Sequence, residues 1–197
     1  MEHTGLMHGQ PRMVGPLMAF DVKDLTPAEL ERVRYLDASQ RVKRWHTEPT
    51  LHTQTVGEHT YGVVMLVLLL TGWEASRSLM IAAQLHDTAE RQFGDVPGPT
   101  KRLSGVKGQF DALEDAFMAR LGAPAPTLTD TEAKLLKMAD NLEGALFCAF
   151  ELRRGNREIQ RAFFNYLSWI KANAPQGLAG AIYNQLLDEY NHVFLGK

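Results

Sequence analysis

His86 and Asp87 are adjacent in Ala82-Ala83-Gln84-Leu85-His86-Asp87-Thr88-Ala89-Glu90, a stretch whose apolar positions keep a helical period. On one continuous helix His86 and Glu90 stand at i and i+4, and Asp87 and Glu90 at i and i+3, so the three side chains converge. Leu79, Met80, Ile81 and Leu85 make that helix half-buried and carry the charges inward. A buried carboxylate must pair, hydrogen-bond or bind a cation. The His-Asp neighbours offer metal-ligating atoms of different hardness, and the carboxylate of Glu90 is left to handle protons. The plain alternative is a local cap or ion pair near a helix end. Asp140 shares a stripe with Leu136, Gly144 and Phe147, where Lys134 and Lys137 are directed to other faces and give it no cation. His59 stands in the first turn of an apolar helix, as a ligand or as a satisfied structural histidine. Together His59, His86, Asp87 and Asp140 offer two imidazoles and two carboxylates from three helices. That set suits one divalent metal ion with positions open to water and substrate.

The elements that must position these groups are helices. Thr26-Pro27-Ala28-Glu29 reads as a capping box with proline at the first helical position, opening a helix that carries Leu30, Val33 and Leu36 inward. Arg41-Val42-Lys43-Arg44-Trp45-His46 then crowds three cations beside an indole. It is either a solvated basic helix end or an edge where a guanidinium meets phosphate and the ring covers a base or sugar. Thr55-Val56-Gly57-Glu58 is a second capping box, and the helix behind it, through Leu70, is apolar enough to be buried almost all round. Glu58 either completes the cap or orients His59.

Gly94 ends the His86-Asp87 helix, and Asp95-Val96-Pro97-Gly98-Pro99-Thr100-Lys101-Arg102 forms a rigid loop that delivers an acid and two cations beside the cluster. A helix over about 107–121 follows, beginning near Lys107. A third capping box, Thr129-Asp130-Thr131-Glu132, opens the Asp140 helix, in which Asn141 and Glu143 are candidates for hydrogen bonds behind the site, with a surface role the preferred reading for Glu143. Two more helices, roughly 157–173 and 176–194, place Phe163, Tyr166 and Trp169 in the core by default. No strand-like alternation or internal repeat is present, so the fold class is all-α.

The 197 residues carry a formal net charge of -2. One domain over residues 25–197 is expected behind an arm of residues 1–24 rich in Met, Gly and Pro. The charge balance supplies no basic field for polymeric nucleic acid and leaves room for a local phosphate pocket. Cys148 is the single cysteine, so no disulfide framework is expected and a cytoplasmic location fits. No secretory signal is visible, and the Val63–Leu70 run is far shorter than the roughly 20 residues that span a bilayer, so no membrane partner is expected.

At this point the sequence resembles the HD-domain phosphohydrolases, whose H…HD…D pattern is matched by His59, His86, Asp87 and Asp140. Arg44-Trp45, Glu58-His59, Leu85-His86-Asp87-x-x-Glu90 and Gly94-Asp95-x-Pro97-x-Pro99-x-Lys101 are similar to the branch of bacterial 5′-deoxynucleotidases and phage deoxynucleoside triphosphate triphosphohydrolases. The resemblance implies an HD-domain helical bundle and one divalent metal ion (Co, Mn, Zn or Mg) held by the four matched residues, with Glu90 handling the attacking water. It further implies that Arg44 and Trp45 position phosphate and nucleotide, and it makes a homo-oligomer the expectation. The related two-metal phosphodiesterases use further histidines, and this chain has none between His86 and His192.

The resulting expectation is hydrolysis of a deoxynucleotide at the 5′ phosphate, with Glu90 or Asp95 assisting proton transfer. Lys101, Arg102 and Lys107 add to Arg44 the cations that a triphosphate needs. These cations, with a short interval between Asp87 and Asp140, point to a triphosphohydrolase acting on a deoxynucleoside triphosphate, with dATP a candidate. The alternatives are a 5′-deoxynucleotidase acting on monophosphates and a non-catalytic nucleotide-binding protein.

Overall fold

Each of the capping boxes starts a helix in the structure, a computed structural model that describes residues 26–97, 107–123 and 125–195. The helices are α1 (Pro27–Ser39), α2 (Val56–Leu70), α3 (Arg77–Leu85), the single turn α4 (Glu90–Phe93), α5 (Lys107–Arg120), α6 (Asp130–Arg153), α7 (Gln160–Ala172) and α8 (Gly177–Leu195). Thr26, Thr55 and Thr129 each accept the N–H of a glutamate three residues on, whose carboxylate returns to the cap N–H, so the first turns of α1, α2 and α6 are satisfied locally. No strand forms among the described residues; Lys43 and Thr55 make an isolated antiparallel bridge.

The bundle is built around α6, which packs against α2, α3, α7 and α8. Small residues on α6, Ala139, Ala145, Cys148 and Ala149, let the neighbouring backbones come close, and Val63 and Val67 of α2, Leu79 of α3 and Phe163 and Ile170 of α7 fill the space between them. Phe163 is fully buried, and truncating such a side chain costs about 3–5 kcal/mol.

Three expectations about packing are corrected. Leu30, Val33 and Leu36 of α1 are exposed, because α1 leaves the bundle and its packing is onto α4, with Tyr35 against Phe117 of α5. α2 is not buried all round: Tyr61 and Leu69 face outward, since its packing on α3, α6 and α8 covers only part of its circumference. The helix through His86 does not continue to Glu90. α3 ends at Leu85, and Thr88, Glu90, Arg91 and Gln92 each donate to the carbonyl three residues back. His86 Nδ1 lies 2.8 Å from the Ala83 carbonyl, the acceptor that the Asp87 N–H would take in a continued helix, so the side chain competes with the ladder at this turn. No helix among the described residues is long and apolar enough to cross a membrane.

Candidate metal centre and adjoining cavity

Three helices bring the four ligand candidates together: His59, His86 and Asp87 form a mutually close cluster that could hold a metal ion, and Asp140 adjoins it through His59. His59 is fully buried in the first turn of α2, His86 and Asp87 follow the last residue of α3, and Asp140 projects from α6. His59 Nε2 lies 3.2 Å from His86 Nε2, 3.4 Å from Asp87 Oδ2 and 3.3 Å from Asp140 Oδ1. His86 Nε2 is 3.4 Å from the same Asp87 oxygen. Donors each about 2.0–2.2 Å from one ion stand roughly 3–3.5 Å apart at octahedral to tetrahedral angles, so these separations suit a shared metal.

The hydrogen bonds behind the ligands fix which ring nitrogen faces the centre. A carbonyl oxygen can only accept, so His86 Nδ1 carries its hydrogen toward Ala83 and leaves Nε2 with a lone pair. His59 Nδ1 donates to Glu143 Oε2, which likewise leaves His59 Nε2 as a lone pair when the ring is neutral. Two imidazole lone pairs and carboxylates aimed at one point repel unless a cation lies among them. The residues present therefore fit a divalent ion, and a proton is the substitute in its absence. Burial and the Arg44 charge work against a charged His59, but Asp140, Glu143 and Asp87 outweigh them and push its pKa up to about 9. Burial would raise the carboxyls of Asp87 and Asp140, yet the surrounding cations and imidazoles hold both below their ordinary range.

Two roles differ from the sequence-based expectation, those of Glu143 and Lys137, and the open choice for Glu58 is decided. Glu143, read as a surface residue, is buried, accepts from Gln54 Nε2 at 2.7 Å and orients His59. The signal for it was available: Glu143 is one turn from Asp140, and the facing residue on α2 is Gly62, where a Cβ would meet Glu143 Cγ at 2.7 Å. Of its two readings Glu58 takes the first: it completes the α2 cap, and it pairs with His52 Nε2 at 3.1 Å. Lys137 does reach Asp140, Nζ to Oδ2 at 2.6 Å, because its long stem swings across an i,i+3 pair.

Arg41 to His46 is not a helix end. α1 stops at Ser39, and the chain runs extended beside 54–56, with the Arg44 N–H on the Gln54 carbonyl and the Val56 N–H on the Val42 carbonyl. That path turns Arg44 inward, where its Nη1 lies 2.7 Å from Asp87 Oδ2. Burial opposes the Arg44 charge, but Asp87, Tyr166, Glu143 and Asp140 outweigh it and hold its pKa above the usual value. Trp45 has a φ of 62°, a conformation that costs a bulky residue about 1–3 kcal/mol and is found at functional sites. It is held there by its N–H to Asp95 Oδ2 at 3.3 Å, its Nε1–H to Gln54 Oε1 at 2.8 Å, and a stack on Phe147 with centroids 5.1 Å apart. The following loop is fastened to α6 by the buried Glu151 carboxylate, which accepts the N–H groups of Leu51 and His52.

Arg44 and Asn141 also line a cavity of about 610 Å³ beside the cluster. Trp45 and Asp95 form part of its wall, as does the α7 face that carries Tyr166 and Trp169. The sequence places these two aromatics in the core by default; they are partly buried, pack against the core and also line the cavity. Glu90 is buried at the start of α4, and the cavity wall formed by the described residues does not include it. Lys101 and Arg102 lie outside the described residues, as does the side chain of Lys107 at the start of α5.

Residues 32–190 match the 5′-deoxynucleotidase YfbR-like family. The chain belongs to that family. A dATP triphosphohydrolase of Salmonella phage PMBT28 is 27% identical over 186 residues, covering 83% of this chain and 89% of the phage protein. A 5′-deoxynucleotidase of Cronobacter sakazakii is 28% identical over 147 residues, covering 63% of this chain and 74% of that protein. Among solved structures, the cyanophage S-2L HD phosphohydrolase DatZ, bound to dA and one catalytic Zn2+ ion, superposes with a TM-score of 0.57 at 20% identity, over 83% of this chain and 96% of DatZ. The helical bundle is thus an HD-domain fold, as the H…HD…D pattern implied.

Proposed function

We propose that this protein hydrolyses deoxynucleotides at the 5′ phosphate, releasing the deoxynucleoside, with His59, His86, Asp87 and Asp140 as ligands to one divalent ion. The observation that carries the reading is the cluster of His59, His86 and Asp87, with Asp140 3.3 Å from His59, next to a cavity of about 610 Å³. A bound divalent ion supplies Lewis-acid polarisation of a phosphoryl oxygen and a lowered water pKa. Arg44 neutralises the phosphate oxygens on the cavity side. Glu90 or Asp95 moves the proton as water adds to the 5′ phosphorus and the bond from phosphorus to the 5′ oxygen breaks, that oxygen taking up a proton. The names of the relatives support a deoxynucleotide substrate.

For the bond cut, the reading is removal of intact triphosphate from a deoxynucleoside triphosphate, the activity that the phage relative's name describes. A second reading, monophosphate hydrolysis, is favoured by the ion pairs at the cavity. Arg44 is engaged by Asp87 and Arg161 by Glu48 at 3.3 Å, which limits the charge left for a triphosphate among the described residues. Incubation with zinc, manganese, cobalt or magnesium and each of the dNTPs and dNMPs, followed by chromatography, separates the two. Deoxynucleoside plus triphosphate supports the first, turnover of monophosphates alone selects the second, and no turnover under any of these metals overturns both. A homo-oligomer and a cytoplasmic setting belong to the same reading, and sedimentation of the purified protein tests the former.

A further inference from the structure

Ala162, Asn165, Tyr166 and Trp169 of α7 all line the cavity, and they stand at i, i+3, i+4 and i+7, one continuous helical stripe. Within the stripe, Tyr166 lies near the metal centre. A Cβ on Gly144 would meet the Tyr166 ring at 2.5 Å and its hydroxyl at 2.9 Å, and Gly144 is one turn beyond Asp140 on α6. The same ring packs edge-on to Trp45, with centroids 6.0 Å apart. Trp169 lies about one turn along α7 from Tyr166, farther along the stripe. Ala162 offers only a methyl group, so the stripe provides aromatic wall, open space and a single amide.

Resting on the reading just given, we propose that α7 is the base-reading element, with the nucleobase against Trp169 and Tyr166 and with Asn165 as the residue that selects adenine. With the phosphate end fixed by the metal centre and Arg44, the uncharged, flat part of a deoxynucleotide is what remains to fill a wall of this chemistry. A carboxamide donates to adenine N7 and accepts from its N6 amino group at once. Guanine presents acceptors at both N7 and O6, so the same amide meets one of them oxygen to oxygen. Arginine is guanine's better partner, and the arginine on this wall, Arg161, is engaged by Glu48. Asn165 is exposed, so its replacement leaves the core intact.

The test measures kcat/KM for all four deoxynucleotides, at whichever phosphorylation level is turned over, and calorimetric binding of deoxyadenosine and deoxyguanosine, on the metal-loaded protein and on Asn165→Ala and Trp169→Ala. The wild type should favour adenine over guanine, and Asn165→Ala should lose roughly 5–150-fold of that ratio, the discrimination of one bidentate pair, with metal content unchanged. Trp169→Ala should weaken all four bases together. A wild type indifferent to the base, or an Asn165→Ala protein that scales every base alike, overturns the inference while leaving deoxynucleotide hydrolysis in place. Conversely, adenine-selective binding that is lost in Asn165→Ala, in a protein that hydrolyses no deoxynucleotide, upholds the base site and rejects the proposed function.

Discussion

Arg44 Nη1 stands 2.7 Å from Asp87 Oδ2, the oxygen that also faces both His59 and His86. The cation read from sequence as a phosphate contact is therefore in direct touch with a candidate metal ligand, and it joins the cluster to the cavity. Removing one partner of a largely buried pair costs about 3–5 kcal/mol. Arg44→Ala should lower the melting temperature of the metal-free protein, part of which zinc restores, and should reduce kcat/KM by about 10²–10³-fold. Arg44→Lys should recover the melting temperature better than the rate, since an ammonium cannot reproduce the guanidinium fork. Melting curves with and without zinc, set beside steady-state rates, check this; wild-type values in both variants would return Arg44 to a structural role.

Glu143 fixes the orientation of His59 without facing the centre itself. Glu143→Gln should weaken zinc affinity by about 10–100-fold, the usual effect of losing the group behind a histidine ligand. Gly62→Ala should weaken it as well, because the new methyl would meet Glu143 Cγ at 2.7 Å. Competitive chelator titration reads both, and unchanged affinity in the pair would disconnect Glu143 from the metal.

The pH dependence follows from His59. With its pKa raised to about 9 in the metal-free fold and about 6.5 when unfolded, the protonated ring contributes stability that is complete below pH 6.5. That contribution is lost as pH rises through about 9. Metal binding must displace the same proton, so zinc affinity should rise with pH over this window. The gap in melting temperature between zinc-loaded and metal-free protein should thus widen from pH 6.5 to 9, with about one proton released per zinc near pH 7.5 by calorimetry in buffers of different ionisation enthalpy. A gap that narrows would show that His59 is not the proton exchanged.

Gly144→Ala tests the packing of the cavity wall. In an ordinary helix interior alanine is favoured over glycine by about 1 kcal/mol, but here the methyl would lie 2.5 Å from Tyr166 Cζ. The steric term should win, lowering the melting temperature and raising KM while metal content holds. A stabilised protein with an unchanged KM would mean that the Tyr166 ring moves aside at no cost.

The four ligand candidates were legible in the sequence because residue type carries the information: His59, His86, Asp87 and Asp140 sit at charged or polar positions inside apolar stretches, and such groups need partners. The capping boxes at Thr26, Thr55 and Thr129 were equally legible, since the hydrogen bonds that define them span only three residues. What lay beyond local spacing was decided by the tertiary structure. Whether Glu143 faces water or His59 depends on α6 packing against Gly62 of α2, a contact between residues far apart in the chain. Leu30, Val33 and Leu36 have a buried helix's composition, yet they stand exposed, because burial is a property of the partner surface as much as of the stripe. The helix through His86 stops at Leu85, where the imidazole takes the Ala83 carbonyl, an acceptor that periodicity assigns to the backbone. In the same way Tyr166 and Trp169 of α7 pack against the core as their composition suggests, and only the folded chain shows that they also line a cavity, where wall and core share one residue vocabulary.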